Sequence, residues 1–391
     1  MFVNKSKGHL LKFFLFFMLI SFLFMISCSQ TPEPKKNTNK ALLEALGEHT
    51  QRLILGSSDG SQLIITPELS ARVLGASFDG ENGENLMWVA DTLFTEAYWA
   101  KKPYFWNAGG YRTWIAPEDL FFLDEDNEWF VPSSLDPASY RVIEQNNYSA
   151  TFETDINLTT NIGKYYVITV KRHISLITES PSDIAPLPQG VKYVGIGLTH
   201  SLTNQSEEVI GVDLPYVCLW NLLQINPSGT TLVPLVEGSD LRTAYREYFE
   251  PLGDRLTVSN DIISVKIDGE YRSKIGVRPE VSKTGMAFLR DNQDNTGVLY
   301  VMLFPVDPDG IYVDKPWGTE SDYGDAIELY NDDGNMGGFT ELECHGPAKK
   351  LERGETQSHK TTLHIFSGSI PELKKIGSVL LDTDLTKAAY F

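Results

Sequence analysis

Residues 165–174 read Tyr-Tyr-Val-Ile-Thr-Val-Lys-Arg-His-Ile. Aromatic and β-branched side chains fill the stretch and no Gly or Pro interrupts it, which predicts a strand. Working outward, similar short runs occur at Gln62–Pro67, Val194–Asn204, Ile262–Ile267, Gly297–Pro305, Phe339–His345 and Lys360–Phe366. Turn signals punctuate the chain at Asp59-Gly60, Asn204-Gln205-Ser206, Asp268-Gly269, Pro308-Asp309-Gly310 and Asp333-Gly334. Helical patterns are confined to Ala41–Glu48 (with Asn39 as cap and Gly47 as stop), Leu241–Phe249 and Pro371–Leu381. There is no internal repeat, and no linker interrupts residues 50–368. The expected fold is all-β, one large antiparallel domain with short helices near the N- and C-termini.

Composition narrows the function. The 391 residues carry 52 Asp+Glu against 33 Lys+Arg, a net charge of −19, and basic residues never run beyond pairs such as Lys35-Lys36. Nucleic acid is excluded as a main partner, because phosphate binding needs concentrated positive charge. With 42% hydrophobic and 11% aromatic residues the chain has ample material for a core. Three Cys build neither a disulfide framework nor a four-Cys zinc site. No P-loop, GxSxG, HExxH or GxGxxG motif occurs.

The N-terminus reads as a targeting segment. Lys5, Lys7 and Lys12 precede an uncharged, mostly apolar stretch from Phe13 to Ser27 and then Cys28. That stretch is shorter than the roughly 20 residues a spanning helix needs. Met25-Ile26-Ser27-Cys28 resembles a bacterial lipobox, which implies lipidation of Cys28 after removal of residues 1–27. Residues 28–40 then form a flexible polar tether and 41–391 the folded domain. Ser29, where an Asp would signal inner-membrane retention, places the protein at the outer membrane of the cell envelope. Losing three Lys and no acid moves the net charge from −19 to −22. Such a charge opposes docking on anionic lipid, so the lipid itself is the membrane anchor.

Several blocks, in order, resemble galactose mutarotase-like (aldose 1-epimerase-like) proteins and mark a divergent branch of that superfamily. They are Arg52–Phe78, the Gly-Gly-x-Arg-x-Trp-x-x-Pro-Glu block at 109–118, Leu198–Asn204, and Thr340–Phe366 with its Leu342-Glu343 and Arg353-Gly354-Glu355-Thr356. The resemblance implies a β-supersandwich with a carbohydrate ligand, and it puts Glu343 on the family's general-base position. Strand alternation adds that Phe339, Glu341, Glu343 and His345 share one face, an acid–base or sugar-hydroxyl constellation.

The family's two catalytic His do not carry over. Asn107 and Arg112 stand where the first is expected, and Trp220 lies nearest the second. His200 and His359 sit in apolar alternation and read as structural, and His173 as solvated. Five of the seven Trp fall between Trp88 and Trp129. Indole faces stack on sugar C–H faces while Arg, Asn and Glu hold hydroxyls. The expected site therefore has Glu343 as base with His345, and Asn107, Arg112, Trp106, Trp114, Trp220 and Glu341 as ligand contacts. No cofactor or metal is expected. The acidic stretch at 323–338 offers oxygen ligands for Ca²⁺ but lacks EF-hand spacing and reads as a strand and an acidic turn. Three functions fit: a sugar-binding lipoprotein with weak or no mutarotase chemistry, an epimerase-like isomerase, and a structural lipoprotein without a sugar ligand.

Metabolic labelling with a palmitate analogue is expected to tag the wild type. Cys28→Ala is expected to lose the label and leave the membrane fraction, and an unlabelled wild type rules out the lipid anchor.

Overall fold

The computed structural model describes residues 37–58, 60–319 and 323–391. Cys28, the apolar leader and most of the tether lie outside the described residues. Two sheets carry the fold. The first has nine strands, in the spatial order Leu53–Gly56, Gln62–Thr66, Arg72–Ser77, Tyr111–Ala116, Cys218–Ile225, Thr340–His345, Ile327–Asn331, Ser273–Val277 and Tyr245–Glu247. The second has ten: Leu256–Ser259, Ile262–Ile267, Gly229–Pro234, Gly285–Asp291, Thr296–Leu303, Thr356–Ser369, Lys192–Asn204, Tyr165–Ile177, Ser149–Thr159 and Arg141–Gln145. Adjacent strands in both are antiparallel. The all-β supersandwich expected from the sequence is the observed fold.

The two sheets differ in what covers them. In Tyr165–Ile177 buried and less buried residues alternate strictly, as in a sheet with one face on the core and one toward water. In Tyr111–Ala116, Cys218–Ile225, Ile327–Asn331 and Thr340–His345 every residue is buried. One face of these strands meets the shared core, where Leu342, Leu329 and Ile275 pack with Ile196, Tyr300 and Leu363 of the other sheet. Their other face is roofed by connecting segments, and charged side chains on it are therefore buried too.

Polar links tie the sheets across the core. Tyr111 Oη and Thr361 Oγ1 lie 3.0 Å apart. Thr113 donates to Asn221 Oδ1 at 2.9 Å and so accepts from His200 Nδ1 at 3.1 Å. His200 is fully buried and belongs to this link, as its apolar alternation suggests.

The helix Asn39–Leu46 is capped by Thr38, one residue before the expected Asn39, and stops at Gly47, whose φ of 42° terminates it. Its Leu42 and Leu46 pack on Ile64 and Leu74. The helix Ile370–Leu380 sets Leu373 and Ile376 against Leu299 and Phe366. The helix expected over Leu241–Phe249 does not form. A turn at 240–243 feeds the strand Tyr245–Glu247, which satisfies the free edge of Ser273–Val277. An unpaired sheet edge has more to gain from a strand than a nine-residue helix gains alone.

Burial holds His359 and His364 at pKa values of about 4. Both lie below the unfolded value of about 6.5, so their contribution to stability is full above pH 6.5 and is lost as pH falls toward 4. His364→Gln keeps a partner for Tyr193 Oη, 2.9 Å from His364 Nδ1. Thermal denaturation between pH 6.5 and 4 is expected to show a smaller fall in Tm for this variant than for the wild type. Parallel curves would contradict a buried neutral His364.

Candidate functional site

Strand register assembles the site on the roofed face. Glu343 faces Leu222 on one side and Glu328 on the other, and Leu222 in turn faces Arg112. His345 pairs with Trp220 and Trp220 with Trp114. Glu341 pairs with Tyr330 and Tyr330 with Lys274. Because side chains alternate, these partners project the same way, and residues from five strands converge. Gly276 is required here: a Cβ would lie 2.0 Å from Asp325 Oδ2.

Above these strands lies a cavity of about 520 Å³. Trp106, Trp114, Trp129, Trp220 and Trp317 wall it with Tyr248, Phe249, Tyr330, Phe339 and Met336. Its charged lining is Arg112, Arg272, Lys274, Glu118, Glu341 and Glu343. Arg112 donates to Glu341 Oε1 at 2.7 Å, with its guanidinium 4.3 Å from the Trp114 ring centre. Its Nε and Nη1 have no hydrogen-bond partner although the side chain is 1% exposed. Trp220 Nε1 donates to Glu343 Oε2 at 2.9 Å, and Trp129 Nε1 to Glu118 Oε1 at 2.9 Å.

Lys274 is the hub of the floor. Its Nζ lies 2.7 Å from Glu328, 3.7 Å from Glu343 and 3.8 Å from Glu118, and 4.9 Å from the ring centres of Trp220 and Tyr248. One ammonium cannot hold this many buried carboxylates ionised. Burial pushes Glu343 well above the usual carboxylate range; Lys274 pulls it back and Glu341 and Glu328 push it up again. Glu118 and Asp314 are raised chiefly by burial as well. Burial opposes ionisation of Glu328 too, but Lys274 and then His345 outweigh it and bring its pKa down. The ionised form is thus favoured at Glu328 and disfavoured at Glu343, Glu118 and Asp314.

Asp314, Glu328 and His345 also bring one ligand atom each within 4.8 Å of one another, all buried. Asp314 Oδ2 and His345 Nε2 lack hydrogen-bond partners. Two carboxylates and an imidazole are the donor set of a small divalent cation. Lys274 already sets a positive charge 2.7 Å from the shared Glu328 oxygen, which such an ion would have to displace. In the acidic turn at 332–338, Asp332 Oδ2 accepts the N–H groups of Gly334, Met336 and Gly338 at 2.8–3.1 Å. Backbone amides there take the place a cation would have.

Of the residues expected from sequence, Trp106, Arg112, Trp114, Trp220, Glu341 and Glu343 line the cavity. Asn107 stands behind it, donating to Met336 O and accepting from Gln224 Nε2, both at 2.9 Å. His345 lies beneath the floor, stacked on Trp220 at 5.3 Å and 3.4 Å from Glu328. Glu343 is partnered by Trp220 and Lys274, whereas Arg112 engages Glu341. The sequence reading missed Lys274, Glu328, Glu118, Trp129, Tyr248, Arg272 and Trp317.

A model described as a family of unknown function, DUF6786, matches residues 37–390. The chain belongs to this family. No curated protein matches the sequence. Among solved structures, this DUF6786 chain is similar to a candidate aldose 1-epimerase of Escherichia coli K12, at 9% identity over 81% of this chain and 99% of that one, with a TM-score of 0.47. It is similar to a galactose mutarotase-like protein of Lactobacillus casei, at 12% identity over 81% and 100%, with a TM-score of 0.44. It is also similar to a galactose mutarotase related enzyme of Lactobacillus acidophilus, at 9% identity over 82% and 98%, with a TM-score of 0.42.

Behind the DUF6786 floor, Tyr248 Oη lies 2.6 Å from Glu328 Oε1 and 2.9 Å from Asp325 Oδ2. A single hydroxyl proton serves only one of them, and burial raises Asp325 to a pKa of about 6 despite Arg246. This folded value exceeds the unfolded one of about 3.9, so the Asp325 contribution grows as pH falls through 6 and fades as pH rises. Asp325→Asn lacks that contribution. Between pH 7 and 5 the variant is expected to lose about 1 kcal/mol more stability than the wild type, read by denaturant titration. An equal loss would place the Asp325 pKa near its ordinary value.

Proposed function

We propose that this protein binds a carbohydrate in the tryptophan-walled cavity, with slow or absent mutarotation, and that a lipid on Cys28 tethers it to the cell envelope at the outer membrane. The observation that carries the sugar reading is the lining itself: five indoles around Arg112, Glu341 and Glu343. A sugar ring has apolar C–H faces and a rim of hydroxyls, and this wall offers flat rings for the first and fixed charged groups for the second. Arg112 Nε lies 3.9 Å from Asp136 Oδ2, and the remaining Nη1, without a hydrogen-bond partner, supplies a buried donor for which a ligand oxygen is the natural acceptor. The cavity volume suits a small ligand of one or a few sugar rings.

Two features favour weak chemistry. Among the described residues no histidine lines the cavity, and burial raises the Glu343 carboxyl, which disfavours the ionised form that a base needs to take a hydroxyl proton. A second reading, carbohydrate isomerisation with Glu343 as general base, draws on Glu118 and Glu343 lying on either side of Lys274. Two carboxylates sharing one ammonium can exchange roles as donor and acceptor.

Calorimetric titration with common aldoses and short oligosaccharides, run beside polarimetry, tests both. Arg112→Lys keeps the charge but loses the fork, and is expected to weaken binding roughly tenfold or more. Glu343→Gln mimics a protonated carboxyl and is expected to fold normally and leave mutarotation at the uncatalysed rate. Fast mutarotation abolished by Glu343→Gln would establish the isomerase instead, and no binding of any sugar would remove the carbohydrate reading.

A further inference from the structure

Three cations line the cavity, and two are neutralised within the protein. Arg112 pairs with Glu341 and Lys274 with Glu328, each at 2.7 Å. Arg272 is different: among the described residues no carboxylate lies within ion-pair distance of it. It is an exposed residue, but it is not a free surface arginine. Its guanidinium sits 3.8 Å from the centre of the Phe249 ring. The neighbouring Tyr330 hydroxyl donates to Asp332 Oδ1 at 3.2 Å. Stacking on Phe249 holds the guanidinium at the cavity wall and leaves its donors unused.

In a chain with a net charge of −19, an arginine fixed at a cavity without an acidic partner runs against the composition. Nearby acids are engaged elsewhere: Glu341 pairs with Arg112, Glu343 and Glu118 sit against Lys274, and Asp332 accepts from Tyr330 and three backbone N–H groups. The fork of a guanidinium matches a planar carboxylate, and one such fork balances one negative charge.

Resting on the carbohydrate reading, we propose that the ligand is an acidic sugar, a uronic acid or a glycan bearing one, whose carboxylate is received by Arg272. The tryptophan wall takes the ring and Arg112 the hydroxyl rim. A sulfate ester presents the same single charge, and the experiment separates the two.

The full chain is titrated with glucuronate and galacturonate, their neutral parents glucose and galactose, and galactose 6-sulfate. The uronates are expected to bind roughly tenfold tighter than the neutral sugars at low salt, with a preference that shrinks as salt is added. Arg272→Gln is expected to bring the acid-to-neutral affinity ratio close to one, with Arg272→Lys retaining part of it. An unchanged Tm confirms that each variant folds. Neutral sugars binding as tightly as uronates, or a ratio untouched in Arg272→Gln, overturns the proposal while leaving sugar binding intact. A preference for the sulfate over both uronates, lost in Arg272→Gln, overturns the carboxylate assignment. Binding of none of these sugars removes the carbohydrate reading and this proposal together.

Discussion

The ion pair between Lys274 and Glu328 is the constraint around which the site is built. Both groups are almost wholly enclosed, and a buried charge is tolerated only with a close partner and further hydrogen bonds. Glu328 has both: Lys274 on one oxygen and the Tyr248 hydroxyl on the other. Once that pair takes the single negative charge the ammonium can support, burial disfavours ionisation of Glu343, Glu118 and Asp314 around it. Removing Lys274 would leave Glu328 uncompensated in the interior, which ordinarily costs about 3–5 kcal/mol. The same side chain sits against Trp220 and Tyr248, so charge and aromatic wall share one support.

Register converts that local pair into a site. Lys274, Glu328 and Glu343 come from neighbouring strands of one sheet, in the order Ser273–Val277, Ile327–Asn331, Thr340–His345. A one-residue slip in any of these ladders would turn the charged set into the apolar core and bring Ile275, Leu329 or Leu342 to the cavity. Specificity of fold and assembly of the site are thus one requirement, enforced by core packing on the far face.

This explains which parts could be read in advance. Alternation within one strand is local, so the shared face of Glu341, Glu343 and His345 was legible from seven residues. The neighbours contributed by other strands were not, since register depends on pairings between segments far apart in sequence. A signal did exist for one of them: Glu328, between Ala326-Ile327 and Leu329-Tyr330, is a lone charge inside an apolar run, and such a charge needs a buried partner, whereas Lys274 follows Arg272-Ser273 and carries no such signal. Leu241–Phe249 misled because Leu241, Tyr245 and Tyr248 are spaced for a helical stripe, while the pairing of Tyr245–Glu247 with a distant strand leaves no mark in the local spacing. Asn107 was placed near the right loop but on the wrong side of it; in a segment without regular alternation, sequence does not say which way a side chain points.

The indoles show how labour is divided inside the cavity. Trp114, Trp129 and Trp220 each give their only hydrogen-bond donor to a carboxylate of the protein, Asp136, Glu118 and Glu343 in turn. Those bonds fix the rings, and edge-to-face contacts of Trp114 with Trp106 and Trp220 brace them further, at 5.6 and 5.5 Å. With their N–H groups consumed, these three rings can offer a ligand only their faces. Polar recognition then has to come from the groups whose hydrogen-bonding capacity is still open, and Arg112 Nη1 is foremost among them. A wall of this kind selects for ring shape through stacking and leaves the placement of oxygens to a few charged side chains. The charges of the site, not its tryptophans, therefore decide which ligand is preferred.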